Sequence, residues 1–140
     1  MIVIPRDGSD ELIERAIRND PREICGILGG DYGEKRSIVR TIVHTENVAP
    51  NARREYEIDP EELLACLERI EADGNEIVGF YHSHPRGPAT PSMTDIDRAT
   101  WVDYSYVIVD ISDDAAVRSW RWRGPADGFD PERVTISQGG

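Results

Sequence analysis

Three short apolar runs constrain the fold of this chain more than any other feature. They are 24–30 (ICGILGG), 76–82 (EIVGFYH) and 104–111 (YSYVIVDI). Each is far shorter than the ~18–20 residues that cross a bilayer. None alternates strictly between apolar and polar residues, so each reads as a strand covered on both faces. Strands of that kind need helices on both sides of their sheet, and the chain offers them. Ser9, followed by Leu12, Ile13, Ala16 and Ile17, predicts a helix over 9–19, stopped by Asp20-Pro21. Asp59-Pro60 places a cap and a first-turn proline at the start of a second helix. Its buried face would carry Leu63, Leu64, Leu67 and Ile70, and Gly74 closes it. A third helix starts at Ser92 and runs to about Trp101. Further strands are expected at 1–4, 36–44, 117–123 (alternating, edge-like) and 134–136, with a hairpin turn at 31–35 and a polar loop at 46–56. The expected fold class is α/β in three layers, a central mixed, mostly antiparallel β-sheet flanked by helices. The length of 140 residues suits one domain, here 1–136 with a flexible tail at 137–140.

Charge removes several classes of function. Asp and Glu number 27 against 16 Lys and Arg, a net charge of −11, and Lys35 is the sole lysine. Nucleic-acid binding requires a basic footprint that this chain lacks. No run suits a signal peptide or a membrane anchor. The cysteines Cys25 and Cys66 form no CxxC pair and no disulfide framework. A cytoplasmic protein is expected, and the acidic, lysine-poor surface suits a salt-rich cytoplasm; high G+C coding gives a second account of it.

The chemistry concentrates in one segment. His82 and His84 flank Ser83 at the end of an expected strand, and side chains at i and i+2 share a face. Asp95 follows in the first turn of the third helix. Two histidines and a carboxylate make the open ligand set of a hydrolytic zinc site, with one position left for water. Each piece alone has another account: a lone HxH recurs on strands, and Ser92-x-x-Asp95 is also a capping box. Other zinc signatures are absent. A nucleobase deaminase would need H-x-E with P-C-x-x-C, and no H-E-x-x-H helix occurs.

Together, His82-Ser83-His84-Pro85, then Pro91-Ser92-Met93-Thr94-Asp95, resemble the JAMM (MPN+) family of zinc metalloproteases. That family also uses a glutamate before an early glycine-rich strand, and Glu23-Ile24-Cys25-Gly26 matches the element. The resemblance spans roughly 9–123 and implies an MPN, cytidine-deaminase-like fold. It implies that His82, His84 and Asp95 hold Zn2+, that Glu23 is the general base, and that Ser92 donates to the developing oxyanion. It also implies a partner, a small ubiquitin-like, β-grasp protein and its conjugates. In the family, the region of Arg53 and Arg54 and the strand beside it help receive the substrate's extended tail, by strand addition to a sheet edge.

The expected function is a desampylase-like isopeptidase that processes small ubiquitin-like modifiers at their C-terminal tail. The alternatives are a sulfur-carrier-processing peptidase and a metal-free scaffold, the latter disfavoured because every ligand position is filled. Cys25, Cys66, Trp120 and Trp122 read as packing. His44 reads as a surface residue, and Arg118, Arg121 and Arg123 read as balancing an acidic surface.

Overall fold

The computed structural model describes residues 1–138. The chain runs β1 (Ile2–Pro5), α1 (Arg6–Asn19), β2 (Cys25–Asp31), β3 (Ser37–Thr45), α2 (Pro60–Ala72) and β4 (Glu76–His84). It continues through α3 (Met93–Arg98), β5 (Ser105–Asp110), β6 (Ala116–Trp122), β7 (Phe129–Glu132) and β8 (Val134–Ser137). The strands form one mixed sheet in the order β7-β6-β5-β4-β2-β3-β1-β8. As the apolar runs predict, β2, β4 and β5 lie at its centre.

The sheet is rolled. Seven inter-strand steps of ~4.8 Å would hold the edges of a flat sheet ~34 Å apart. Yet the edge strands β7 and β8 are separated in the chain by Arg133 alone, and one residue spans at most ~3.6 Å. The sheet therefore curls until its edges approach. The trough is filled by Leu12 and Ala16 of α1, packed on Ile2, Ile4, Leu28, Val78 and Tyr81. Across the sheet, Ile70 of α2 packs with Ile27, Ile77, Phe80, Tyr106 and Trp122. Helices thus cover both faces.

Where the edges meet, Arg121 and Glu132 form a salt bridge with side chains only 3% and 2% exposed. Ser105 and Ser119 donate to the Glu132 carboxylate at 2.7 and 2.8 Å. Arg121 donates onward to the Gly33 carbonyl at 2.8 Å and the Asp103 carbonyl at 3.1 Å. Arg121 is therefore an interior residue and not part of the surface balance expected for it, because it neutralises a carboxylate that the seam has taken out of water.

β4 carries one irregularity with large consequences. Its register against β2 passes from Leu28↔Gly79 to Gly29↔Ile77, leaving Val78 as an extra residue. A bulge of this kind shifts the phase of side-chain alternation. Ile77 faces the α2 side and Val78 the α1 side; beyond the bulge Phe80 faces α2 again and Tyr81 faces α1.

Several sequence expectations need correction. α1 starts at Arg6 with Pro5 as N-cap, three residues before Ser9, and Ser9 is buried inside the helix. Ile17 and Leu64 are 58% and 57% exposed, so neither belongs to the buried face assigned to it. Asp59 caps α2 as expected, accepting from the Glu61 and Glu62 amides. α3 ends at Arg98 because the chain turns to seat Trp101 edge-on to Phe80, and the Tyr106 hydroxyl accepts from the Thr100 and Trp101 amides. β6 is an inner strand and not the edge its alternation suggests, because β7 pairs outside it. Ser137, placed in the flexible tail, pairs with Pro5 in β8; residues 139–140 of that tail lie outside the described residues.

The approach of β4 to β5 leaves no room for a side chain at Gly79. A Cβ there would lie 2.0 Å from the Ser105 carbonyl oxygen. Gly79→Ala is expected to destabilise the fold by ~1–3 kcal/mol, read as a fall of several degrees in thermal midpoint. An unchanged midpoint would show that the two strands can part at no cost.

Candidate active site

β4 ends on the site. Beyond the bulge, Phe80, His82 and His84 share a face by the period of two, while Ser83 points the other way. Ser83 anchors the neighbouring segment: its hydroxyl accepts from the Ile24 amide at 2.8 Å, and its amide donates to the Ile24 carbonyl at 3.1 Å. That pairing fixes Glu23 one residue upstream. The Glu23 main chain is held further by its amide donating to the Ala52 carbonyl and by Asn47 Nδ2 donating to its carbonyl at 3.0 Å.

α3 supplies the third side chain. Ser92 is its N-cap, and the capping box is complete. Asp95 N–H donates to Ser92 Oγ at 3.0 Å, and Ser92 N–H donates to Asp95 Oδ2 at 2.9 Å. The cap aims the carboxylate at the histidines, so the capping and ligand readings of Ser92-x-x-Asp95 describe one geometry.

Three ligand atoms converge. His82 Nε2 and His84 Nε2 are 3.1 Å apart, and Asp95 Oδ2 lies 3.1 Å from the first and 3.0 Å from the second. Glu23 offers a carboxylate oxygen within 4.8 Å of both rings. His84 Nδ1 is 2.8 Å from the Pro88 carbonyl, which can only accept, so that nitrogen carries a proton. The lone pair of a neutral His84 therefore sits on Nε2 and faces the group. Two imidazole nitrogens at this separation cannot both carry protons toward each other. Donor type, direction and spacing suit a small divalent cation bound through nitrogen and oxygen.

The two carboxylates live in opposite surroundings. Burial opposes ionisation of Asp95, but its contacts with His82, His84 and the Ser92 amide outweigh this and hold it well below the usual carboxylate range. Glu23 is 5% exposed, and its Oε1 has no hydrogen-bond partner among the described residues. Burial pushes its carboxyl up to about 8, against the attraction of His84 and with the repulsion of Asp95 and Glu55. Burial lowers the pKa of His82 against its contacts with Asp95, whereas the contacts of His84 with Asp95 and Pro88 overcome burial and raise its pKa.

A cleft of about 660 Å³ opens onto the group, lined by Glu23, His84, Ser92, Arg53, Arg54 and Arg86 among others. The structure brings the expected Glu23, His82, His84, Ser92 and Asp95 together and sets Arg53 and Arg54 along the cleft. They lie in a turn and not on a strand. Sequence reading missed Ser83, Asn47 and the Pro88 carbonyl, which position the group, and Tyr56, whose ring stacks on His82. No motif marks Asn47, Pro88 or Tyr56, and Ser83 is the unspecified middle position of H-x-H. His44 bonds Glu11 and Tyr81, away from this group. Cys25 is fully buried, and its thiol is pushed up to about 11, chiefly by burial, which suits packing and not nucleophilic attack.

Residues 5–123 match the prokaryotic homologues of the JAB domain. The chain belongs to that family. It is thereby a JAMM-type metallopeptidase, and the family implies a metal. A desampylase of Haloferax volcanii is 44% identical over 123 residues, 84% of this chain and 85% of that protein. A probable TtuB-protein conjugate cleaving protease of Thermus thermophilus is 35% identical, across 72% of this chain and 65% of its own length. A CysO-cysteine peptidase of Mycobacterium tuberculosis is 37% identical, across 81% and 75%. The solution structure of a Desulfitobacterium hafniense protein superposes with a TM-score of 0.88 at 26% identity, covering 99% of this chain and 94% of that one. A JAB1/MPN domain protein of Archaeoglobus fulgidus shares the fold at a TM-score of 0.64 and 16% identity, covering 97% of each chain.

Burial of Glu23 has a measurable signature in the metal-free protein. Its folded pKa of about 8 lies above the ordinary 4.5. The folded chain therefore holds a proton that the unfolded chain has released, and stability falls as pH rises between those values. Glu23→Gln is expected to remove this loss, leaving the variant the more stable at the alkaline end. Parallel pH profiles of thermal midpoint for the two proteins would show instead that Glu23 ionises freely in the fold.

Proposed function

We propose that this chain is a zinc metallopeptidase that cleaves small ubiquitin-like modifier proteins from their conjugates at the C-terminal tail. The observation that carries the proposal is the convergence of His82 Nε2, His84 Nε2 and Asp95 Oδ2 beside the buried Glu23 carboxylate, in an open cleft. His82, His84 and Asp95 are the proposed Zn2+ ligands. Zinc bound there would polarise the scissile carbonyl and lower the pKa of water to ~7.

The remaining chemistry belongs to the chain. Glu23 takes a proton from the attacking water and delivers it to the leaving amine. Its buried setting raises its affinity for that proton, and a dication among the neighbouring ligands pulls the carboxyl back down toward neutrality. Ser92 spends its oxygen lone pair on the Asp95 amide, leaving its O–H to donate to the oxyanion that develops on the substrate carbonyl. The Asp95 carboxylate is held in its charged form by its contacts with His82, His84 and the capping amide.

Arg53 and Arg54 give the cleft mouth a positive rim on a chain of net charge −11, while Arg86 beside them is paired with Asp20 at 3.0 Å. We propose that this rim steers an acidic β-grasp substrate toward the cleft by side-chain charge. The Haloferax and Thermus relatives support the conjugate-cleaving reading. The Mycobacterium relative supports a second one, removal of a residue from a sulfur-carrier protein.

The test is cleavage by the purified protein in high salt, with a lysine-linked ubiquitin-like conjugate and a C-terminally extended sulfur-carrier protein as parallel substrates. Chelator is expected to abolish cleavage and zinc to restore it. Glu23→Gln should lower kcat by about 10²–10⁴-fold and Ser92→Ala by about 10²–10³-fold, each with one zinc still bound. Chelator-resistant cleavage, or a wild-type chain that binds no zinc, would overturn the proposal.

A further inference from the structure

Metal-binding histidines are normally oriented by their second nitrogen, which donates to a carbonyl, carboxylate or water. His84 follows that pattern through Pro88. His82 does not. It is 1% exposed, and its Nδ1 is buried without a hydrogen-bond partner among the described residues. Strand pairing with Cys25 and Ile108 fixes its backbone, but a backbone ladder leaves the rotation of the ring about χ2 unset.

What meets the ring is Tyr56. The two rings stack with centroids 4.4 Å apart and planes 23° from parallel. A flat partner at that distance restrains tilt of the imidazole as a hydrogen bond at Nδ1 would. Tyr56 also lines a second cleft of about 490 Å³, with Phe80, Trp101 and Tyr106, so its loss would open His82 toward that space.

The segment carrying Tyr56 is tied to the rest of the site. Asn47 Nδ2 donates to the carbonyls of both Glu23 and Glu55, each at 3.0 Å. Arg98, three residues beyond Asp95 on α3, donates to the Tyr56 carbonyl at 3.4 Å and pairs with the Glu55 carboxylate at 3.5 Å. Residues 55 and 56 thus touch the histidine by stacking, the Glu23 segment through Asn47, and the Asp95 helix through Arg98. We infer that Tyr56 is a positioning residue that sets the ring plane of His82 for metal binding, an inference that rests on the ligand assignment proposed above. The ring face does this, so phenylalanine suffices and leucine does not.

The test compares Tyr56→Phe, Tyr56→Leu and Arg98→Gln with wild type. The readouts are zinc affinity by competition with a chromophoric chelator, kcat and KM on a cleaved conjugate, and long-range 15N–1H spectra of His82 in the metal-free protein. Tyr56→Leu is expected to lose about 10–100-fold in zinc affinity, with kcat falling more than KM changes and the His82 ring signals broadening. Tyr56→Phe should restore all three. Arg98→Gln, which keeps the ring but frees its segment, should lose zinc affinity in the same direction, and it keeps the inference testable if the leucine variant fails to fold. Wild-type zinc affinity in Tyr56→Leu, equal losses in Tyr56→Phe, or a rise in KM alone would overturn it. A wild-type chain without zinc affinity would instead overturn the ligand assignment itself.

Discussion

A strand shows one face at every second residue, and on β4 a single extra residue sets which face that is. The bulge at Val78 puts Val78 and Tyr81 on the α1 side and Ile77, Phe80 and His82 on the other. Without it, either the apolar first half or the chemical second half of the strand would point the wrong way. The glycine that follows is forced by the close approach of β5. The same device that packs the core therefore delivers both histidines to the cleft and Ser83 to the anchoring of the Glu23 segment.

The site then gathers parts from distant stretches of chain. Glu23 precedes β2, the histidines end β4, Asp95 opens α3, and Tyr56 belongs to the loop before α2. The histidines, Ser92 and Asp95 fall within fourteen residues, and their spacing was readable because strand and cap geometry fix it locally. Glu23 was readable only through its place before Ile24-Cys25-Gly26, since it is one of 27 acidic residues. Asn47, Ser83 and Tyr56 could not be read at all. Their roles are contacts between segments 24–59 positions apart in the case of Asn47 and Ser83, and nothing in their local sequence distinguishes them from ordinary loop and strand residues. The fold shows the same division. Central apolar strands and capped helices were legible, whereas β7 was not, because Phe129–Glu132 contains a proline and two charges and becomes a strand only by pairing with β6.

Two carboxylates a few ångströms apart show how environment assigns work to identical chemistry. Asp95 is surrounded by groups that favour its charge, and Glu23 by few that do. One therefore behaves as a fixed anion and the other as a group that exchanges a proton near neutral pH. The difference arises from their partners: Asp95 accepts from His82, His84 and the α3 cap amide, while Glu23 is buried with Oε1 unpartnered among the described residues.

The rolled sheet has a kinetic meaning. β1 pairs with β8 in the register Ile2↔Val134, so closing the roll brings together residues at opposite ends of the chain. Closing a loop of that length carries an entropy cost of about 4 kcal/mol from the logarithmic term alone, and contacts of such long range form slowly. The seam therefore raises the contact order of the fold. Once shut, it fastens β7, β6 and β3 through Arg121 and Glu132, a pair too deeply buried for bulk salt to screen. Rolling the sheet open would strip that pair of its partners, on strands that carry none of the residues of the site.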